Sequence, residues 1–318
     1  MSLNIVILDG QLANPGDVSW SSIEVLGQVT NYPSTSSDQV IERSQDADVL
    51  ILNKIRLNKD QFEQLPKLKL VCLLATGYDN VNIQDAKAHD VIVCNAVAYG
   101  VDSVAQHVFA LILTATNYIS AHNNSIQNGD WHDRQWSYTL SPLRGLAGKT
   151  LGIYGYGKIG KKVAELGRAF GMNILINTRS SKTFSDDTQQ VSLEEVFAIS
   201  DVISLHAPLS NKNEGIINKQ LLHQMKDEAI LINTARGGLI NEDDLRDHLL
   251  ANPKFIAALD VLSKEPPSKG HPLLGLNNCI LTPHNAWANI DARKRLIEIV
   301  ADNIRGFKEG SPTNVVQA

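Results

Sequence analysis

Short runs of β-branched and aliphatic residues recur along the chain, separated by more polar stretches whose apolar positions fall at helical spacing. Asn4 to Leu8, Val49 to Leu52, Leu70 to Leu74 and Val91 to Cys94 are such runs, and each predicts a buried strand. A long helix-like stretch, Val101 to Asn117, interrupts the pattern. It resumes at Thr150 to Tyr154, Asn173 to Ile176, Val202 to Leu205, Ile230 to Ile232 and Phe255 to Leu259, with a last strand at Cys279 to Leu281. Buried strands alternating with amphipathic segments indicate parallel sheets covered by helices on both faces, so the expected class is α/β with doubly wound sheets.

One run is punctuated by glycine. Leu151-Gly152-Ile153-Tyr154-Gly155-Tyr156-Gly157-Lys158-Ile159-Gly160 passes from a strand-like stretch through G-x-G-x-x-G into a helix-like stretch, Lys161 to Phe170. Gly155 permits a tight turn, Gly157 lets the backbone approach a pyrophosphate, and Gly160 lets the helix sit close against the strand. The helix N-terminus then presents N–H groups to the phosphates. The flanking strand and helix are the context that separates a dinucleotide site from an ordinary glycine turn.

The motif falls in mid-chain, whereas the first strand, ending at Leu8, is followed only by Asp9-Gly10. Residues 1–100 therefore form a different α/β unit, to which the helix candidate Ile290 to Phe307 carries the chain back. The expected division is 1–100 plus 288–318 for that unit and 101–287 for the dinucleotide-binding domain, with Val101 to Asn117 crossing between them. The stretch His122 to Leu146, with Trp131, Trp136, Tyr138 and Pro142, has little periodicity and predicts an extended arm suited to a subunit interface.

Composition narrows this picture without redirecting it. The 318 residues suffice for two domains with separate cores, and 43% hydrophobic with 20% charged residues are values of a soluble globular protein. A net charge of −5 gives no electrostatic reason to expect nucleic acid or an anionic membrane as partner. Met1 to Leu8 has neither a basic segment nor a long apolar one, and Val104 to Ala115, which carries Gln106 and His107, is too short to span a bilayer. Cys72, Cys94 and Cys279 are scattered in apolar runs and do not stand at metal-ligand spacing. They read as buried thiols in a reducing compartment, so a cytoplasmic location without a bound metal is expected.

Ligands in open α/β sheets bind at the carboxyl ends of strands, and polar residues end several of the predicted strands here. In Ile232-Asn233-Thr234-Ala235-Arg236-Gly237-Gly238, an arginine directly after a buried strand suits a carboxylate or the oxygens of a 2-oxo acid through its planar fork. In Ala258-Leu259-Asp260-Val261-Leu262-Ser263-Lys264-Glu265-Pro266-Pro267, Glu265 stands ahead of a proline pair that cannot continue a helix. A rigidly held glutamate of this kind can orient a histidine. In Ile280-Leu281-Thr282-Pro283-His284-Asn285-Ala286-Trp287, His284 follows a buried strand, and imidazole is the natural proton donor or acceptor at neutral pH. His89, His122, His132, His223 and His248 lie in polar, helix-like or irregular surroundings and receive no role.

Together these segments resemble the D-isomer-specific 2-hydroxyacid dehydrogenase family, nearly from end to end. Ala75-Thr76-Gly77-Tyr78-Asp79-Asn80-Val81 and Asp102-Ser103-Val104-Ala105-Gln106-His107 match as well. Asn53-Lys54, Tyr99-Gly100 and His284-Asn285-Ala286-Trp287 are similar to the glycerate dehydrogenase (hydroxypyruvate reductase) branch. The resemblance implies a Rossmann dinucleotide-binding domain inserted in a flavodoxin-like substrate domain. It implies hydride transfer between a nicotinamide cofactor and a small D-2-hydroxy acid or 2-oxo acid, hydroxypyruvate or glyoxylate foremost. Arg236 would hold the substrate's carboxylate and carbonyl oxygen, His284 would be the general acid and base, and Glu265 its orienting partner. Lys54 and the backbone at Thr76, Gly77 and Tyr78 would bind the acid, with Tyr99 and Trp287 as further candidates for the wall. Ser103, Thr234, Ala235, Arg236, Asp260 and His284 would line the nicotinamide end of the cofactor, and Ala207 and Pro208 its adenosine side. A closing cleft between the domains would exclude water, and a homodimer joined through Val101 to Leu146 is the expected assembly.

The cofactor segment departs from the NAD pattern at one point. An acidic residue is expected ~20 residues beyond the glycine motif, where it holds the ribose hydroxyls. Here the strand runs into Asn177-Thr178-Arg179-Ser180-Ser181-Lys182, with no carboxylate before Asp186. Thr178 takes the expected place, and Arg179, Ser180 and Lys182 suit a 2′-phosphate, so NADP(H) is expected ahead of NAD(H). Two alternatives stay open: the same chemistry on another acid, of the D-lactate or phosphoglycerate type, or an NAD(H)-sensing corepressor-like binding protein.

Overall fold

The apolar runs become strands, each parallel to its neighbours. The structure is a computed structural model, describing residues 2–132, 136–179, 184 and 188–317. The chain divides into two units, Met1–Gly100 with Trp287–Ala318, and Val101–Ala286.

The first unit holds β1 (Leu3–Ile7), β2 (Gly27–Asn31), β3 (Val49–Leu52), β4 (Leu70–Leu73) and β5 (Ile92–Cys94), in the order β2-β1-β3-β4-β5. This is the flavodoxin-like winding, which reverses direction between β1 and β3. Alternate residues along each strand serve opposite faces, as the two-residue period requires. Ile5, Ile7, Val49, Ile51 and Leu70 pack with Leu296, Val300 and Ile304 of the helix Ile290–Lys308. Val6, Leu8, Leu50, Leu52 and Val71 pack with Phe62 and Leu65 on the other side. The edge strand β2 was not foreseen; its GQVTN sequence is half-exposed and contains no apolar run.

The second unit continues with β6 (Thr150–Tyr154), β7 (Asn173–Asn177), β8 (Gln189–Gln190), β9 (Val202–Leu205), β10 (Ile230–Asn233), β11 (Ile256–Leu259) and β12 (Cys279–Leu281). Their order, β12-β11-β10-β9-β6-β7-β8, is the Rossmann winding with its reversal between β6 and β9. Leu151, Ile153, Ile174, Ile176, Val202 and Ile232 meet Val108 and Ile112 of the helix Val101–Asn117 and Val163 of the helix Lys158–Ala169. The opposite face buries Phe197, Leu221, Leu245 and Leu249. The exposed two-residue strand β8 was also unforeseen, for the same reason as β2.

Three expectations need correction. The helix after the glycine motif begins at Lys158 rather than Lys161, because Gly157 is its N-cap and the motif's last turn is already helical. The helix Val101–Asn117 does not cross between units but lies wholly within the second, packed on the helix Lys158–Ala169 and on β10 and β11. The predicted extended arm starts as a helix, Ile119–Gln127, which buries only Ser125 and so carries no apolar stripe to announce it. Beyond Gln127 the described residues up to Leu146 form no strand or helix. Among the described residues, no helix is long and apolar enough to cross a membrane.

Candidate active site

Because every strand of the second sheet points the same way, the residues that follow the strands collect along one edge. At the reversal of winding, the Gly155 N–H donates to the Asn177 carbonyl at the end of β7 (2.8 Å), and Gly155 turns with φ +95°. A Cβ there would lie 2.5 Å from the Ala207 nitrogen, so the ends of β6 and β9 abut at this turn. At Gly160 a Cβ would come within 2.3 Å of the Gly155 carbonyl oxygen, which explains why helix and strand meet through glycine. Gly157 differs from both. Its φ of −82° suits any residue, and a Cβ would meet nothing within 4 Å. Neither backbone nor packing calls for glycine there, whereas a closely approaching pyrophosphate does.

The neighbours of the motif divide by burial. Tyr156 is buried, edge-on to Phe184 at 5.5 Å, so its ring serves the core and its backbone the turn. Ile159 packs against the same core, while Lys158 is exposed. Thr178 follows β7 and its carbonyl accepts from Gln190 Nε2 (3.1 Å), with Arg179 exposed beside it. Ser180, Lys182 and Asp186 lie outside the described residues. After β9, Ala207 is buried and the Pro208 carbonyl accepts from Asn213 Nδ2 (2.8 Å). The His206 residue keeps some exposed surface, yet burial of its ring pushes its pKa down to about 3. With Nε2 bonded to Ser204 Oγ at 2.9 Å, this neutral imidazole is no proton donor at ordinary pH.

The arginine turn is built by a residue that sequence reasoning passed over. Asn233, fully buried at the end of β10, accepts from the Ala235 N–H (3.0 Å) and donates to the Arg236 carbonyl (2.9 Å). An asparagine closing an otherwise apolar strand was the available signal. The Arg236 guanidinium donates to the Ala235 carbonyl (2.8 Å), and Gly237 behind it runs so close to Leu262 that a Cβ would lie 1.9 Å from the Leu262 carbonyl carbon. Thr234 Oγ1 is a buried hydroxyl with no hydrogen-bond partner among the described residues. Together with the open space at Gly157, this orphan hydroxyl fits a polar ligand such as a nicotinamide dinucleotide.

Beside the arginine turn, β11 and β12 bring the remaining groups together. Asp260 is buried and accepts from Thr282 Oγ1 (2.6 Å), the Asn285 N–H (3.0 Å) and the Ala286 N–H (2.9 Å). Its carbonyl accepts from the His284 N–H (2.8 Å), and His284 stands at φ +52°, the left-handed region. The His284 ring bonds through Nδ1 to Glu265 Oε2 (2.6 Å), while Glu265 Oε1 accepts from the Leu262 N–H (3.0 Å). The glutamate loop is fastened in turn by Glu242, another residue the sequence did not reveal. Its carboxylate accepts from the Ser263 N–H (2.8 Å) and from the Ser263 hydroxyl, and contacts His271 Nε2 at 3.2 Å. Nothing in the sequence links Glu242 to a serine 21 residues away. Ser103 Oγ, on the helix Val101–Asn117, donates to the Ala286 carbonyl (2.7 Å). Among the described residues no cluster of His, Cys, Asp and Glu could hold a metal ion.

The first unit carries the other predicted residues. The loop after β3 is set by the buried Asp9, whose carboxylate accepts from the Asn53 and Lys54 N–H groups, both at 2.7 Å. Burial raises the pKa of Asp9, and these N–H donors oppose the rise. Lys54 itself is exposed, as are Thr76 and Tyr78 after β4; Thr76 Oγ1 donates to the Ala96 carbonyl (2.7 Å), and Gly77 lies between them half-buried. Tyr99 is buried and meets Trp287 edge-on at 6.2 Å.

Comparison with known proteins places the whole chain among relatives. The family described as D-isomer specific 2-hydroxyacid dehydrogenase, NAD binding domain, matches residues 109–286. A hydroxypyruvate reductase of Blautia hydrogenotrophica is 40% identical over 320 residues, covering 99% of each chain. A glycerate dehydrogenase of Methylorubrum extorquens is 37% identical over 322 residues, covering 100% of each. Among solved structures, an acyclic imino acid reductase in complex with NADPH and D-Arg superimposes with a TM-score of 0.87 at 31% identity, over 99% of this chain and 100% of that one.

The last two glycines of the motif predict opposite outcomes. Gly157→Ala leaves the urea unfolding midpoint unchanged but weakens dinucleotide binding at least about tenfold, or ~1.4 kcal/mol, by calorimetric titration. Gly160→Ala lowers stability by about 1–3 kcal/mol through overpacking. Wild-type affinity in the first variant would contradict the assignment of that open space to a ligand.

Proposed function

The chain belongs to the D-isomer-specific 2-hydroxyacid dehydrogenase family, and from that premise we propose that it reduces hydroxypyruvate to D-glycerate, or glyoxylate to glycolate, and runs the reverse oxidation. The observation that carries this reading is the His284–Glu265 pair, 2.6 Å between Nδ1 and Oε2, on the same sheet edge as the glycine motif and Arg236. When bound, the nicotinamide supplies the hydride in reduction and accepts it in oxidation. Arg236 grips the carboxylate and the carbonyl oxygen of the acid with its paired N–H donors. With Nδ1 engaged by Glu265, His284 Nε2 passes a proton to the carbonyl oxygen in reduction and removes it in oxidation. Arg236 meets the negative charge that gathers on that oxygen during transfer. Lys54 and the backbone of Thr76, Gly77 and Tyr78 are assigned to the same acid. Ser103, Thr234, Ala235 and Asp260 are assigned to the nicotinamide end.

We infer that NADP(H) is preferred to NAD(H). The support is the strand end of β7, where Thr178 and the exposed Arg179 stand in place of a carboxylate. We also infer a homodimer joined through residues 101–146, because Ile119, Trp136, Leu140 and Leu143 expose large apolar side chains there. Free Cys72, Cys94 and Cys279 suit a reducing cytoplasm.

Three measurements test these assignments. His284→Ala is expected to cut turnover of hydroxypyruvate about a hundredfold or more while dinucleotide binding persists. Equal slow turnover in both proteins would instead favour a sensing role. Initial rates should give a higher kcat/KM with NADPH than with NADH, and Arg179→Ala should lower only the NADPH value, by about tenfold for the ~1.5 kcal/mol of a hydrogen bond to a charged group. A preference for NADH would overturn the cofactor assignment. Light scattering should report a dimer; a monomer would remove the interface.

A further inference from the structure

The segment around His284 is held from the helix Val101–Asn117 at two points. Ser103 Oγ donates to the Ala286 carbonyl at 2.7 Å, and His107 Nε2 lies 3.1 Å from Thr282 Oγ1. Ser103 and His107 stand four residues apart, on one face of this helix. Their partners stand two residues after His284 and two before it. The Thr282 hydroxyl has one proton, and it goes to Asp260 Oδ1 at 2.6 Å. Toward His107 the same oxygen is therefore an acceptor, and the proton between them belongs to His107 Nε2. The donors run from His107 to Thr282 to Asp260, and His107 Nε2 also stands 3.6 Å from Asp260 Oδ1 directly. Asp260 in turn takes the N–H groups of Asn285 and Ala286.

We propose that His107 is a positioning residue for proton transfer. Through Thr282 it holds Asp260, and with Ser103 it keeps the segment 282–286 in the arrangement that fixes His284 at φ +52°. This rests on the reading of His284 as the proton-transfer group. His107 is an apt handle because its side chain retains 21% exposure, so exchanging it leaves no large cavity. Asp260, whose side chain is only 1% exposed, tolerates exchange far less well.

The test compares His107→Leu, which removes the donor, with His107→Gln, which keeps an N–H at similar reach. Hydroxypyruvate reduction is followed at saturating NADPH, and NADPH affinity is measured separately by titration. His107→Leu should lower kcat about ten- to a hundredfold, the scale of a small misplacement at the reacting atoms, while the dinucleotide Kd stays within about twofold. His107→Gln should restore most of the rate. Thr282→Val should be impaired on its own, and adding His107→Leu to it should cost less than His107→Leu costs in the wild type, because both act on Asp260. Wild-type kcat in His107→Leu, equal defects in the Leu and Gln variants, or losses that multiply in the double variant would each overturn the proposal. His284→Ala measured alongside separates the two readings: turnover retained in that variant overturns the assignment of His284 and not the grip on its segment.

Discussion

A carboxylate taken out of water must be met by donors, and Asp260 is 2% exposed. An effective penalty of several kcal/mol per buried ion forces the surrounding chain to supply them. The donors that answer are Thr282 Oγ1 and the N–H groups of Asn285 and Ala286, which bracket His284 on both sides. Their geometry leaves His284 at φ +52°, a conformation that costs a non-glycine residue of order 1–3 kcal/mol and persists only where its surroundings over-determine it. The strained histidine and the satisfied aspartate are thus one feature. From it the ring is aimed at Glu265, and the glutamate loop must then sit where Gly237 lets it approach the arginine turn.

Sheet direction makes this local arrangement useful. In a parallel sheet all strand ends face one edge, so residues far apart in sequence become neighbours without any special contact between them. The glycine turn after β6, Ala207 after β9, Arg236 after β10, Asp260 after β11 and His284 after β12 share that edge for this reason alone. The histidine nearest the switch point, His206, is kept neutral by burial, with its pKa near 3. The histidine proposed for proton transfer, His284, is instead partly exposed and has the Glu265 carboxylate beside it. A dinucleotide laid across the turn would thus meet an acid–base group at one end of the edge and an open glycine in its middle.

The sequence disclosed those parts of the molecule whose signals are local. Strands such as Val49–Leu52 and Leu70–Leu73 are buried on both faces, and their continuous apolar runs are visible without the fold. The edge strands, half-exposed β2 and exposed β8, carry no such run, and the helix Ile119–Gln127 buries one serine and has no stripe. The residues proposed for the chemistry stood out because an arginine, a glutamate and a histidine follow apolar strands, where a surface charge has little reason to be. Their supports stayed hidden. Glu242 holds a serine 21 residues away, and His107 touches a threonine 175 residues away, distances over which no spacing rule operates. Asn233 was closer to view, as the polar terminus of β10, but its hydrogen bonds to the Arg236 turn depend on the turn being formed.

The central claim is that Glu265 fixes the proton of the His284 ring on Nδ1, so that Nε2 exchanges protons with the substrate. Nitrogen NMR of the ¹⁵N-histidine-labelled enzyme, in the wild type and in Glu265→Gln, reads that proton directly. The account predicts that neutral His284 is the Nδ1–H tautomer in the wild type, with a strongly hydrogen-bonded Nδ1 proton whose signal is lost or moved in Glu265→Gln. A His284 ring that carries its proton on Nε2 when neutral, or a spectrum indifferent to the loss of Glu265, would contradict it.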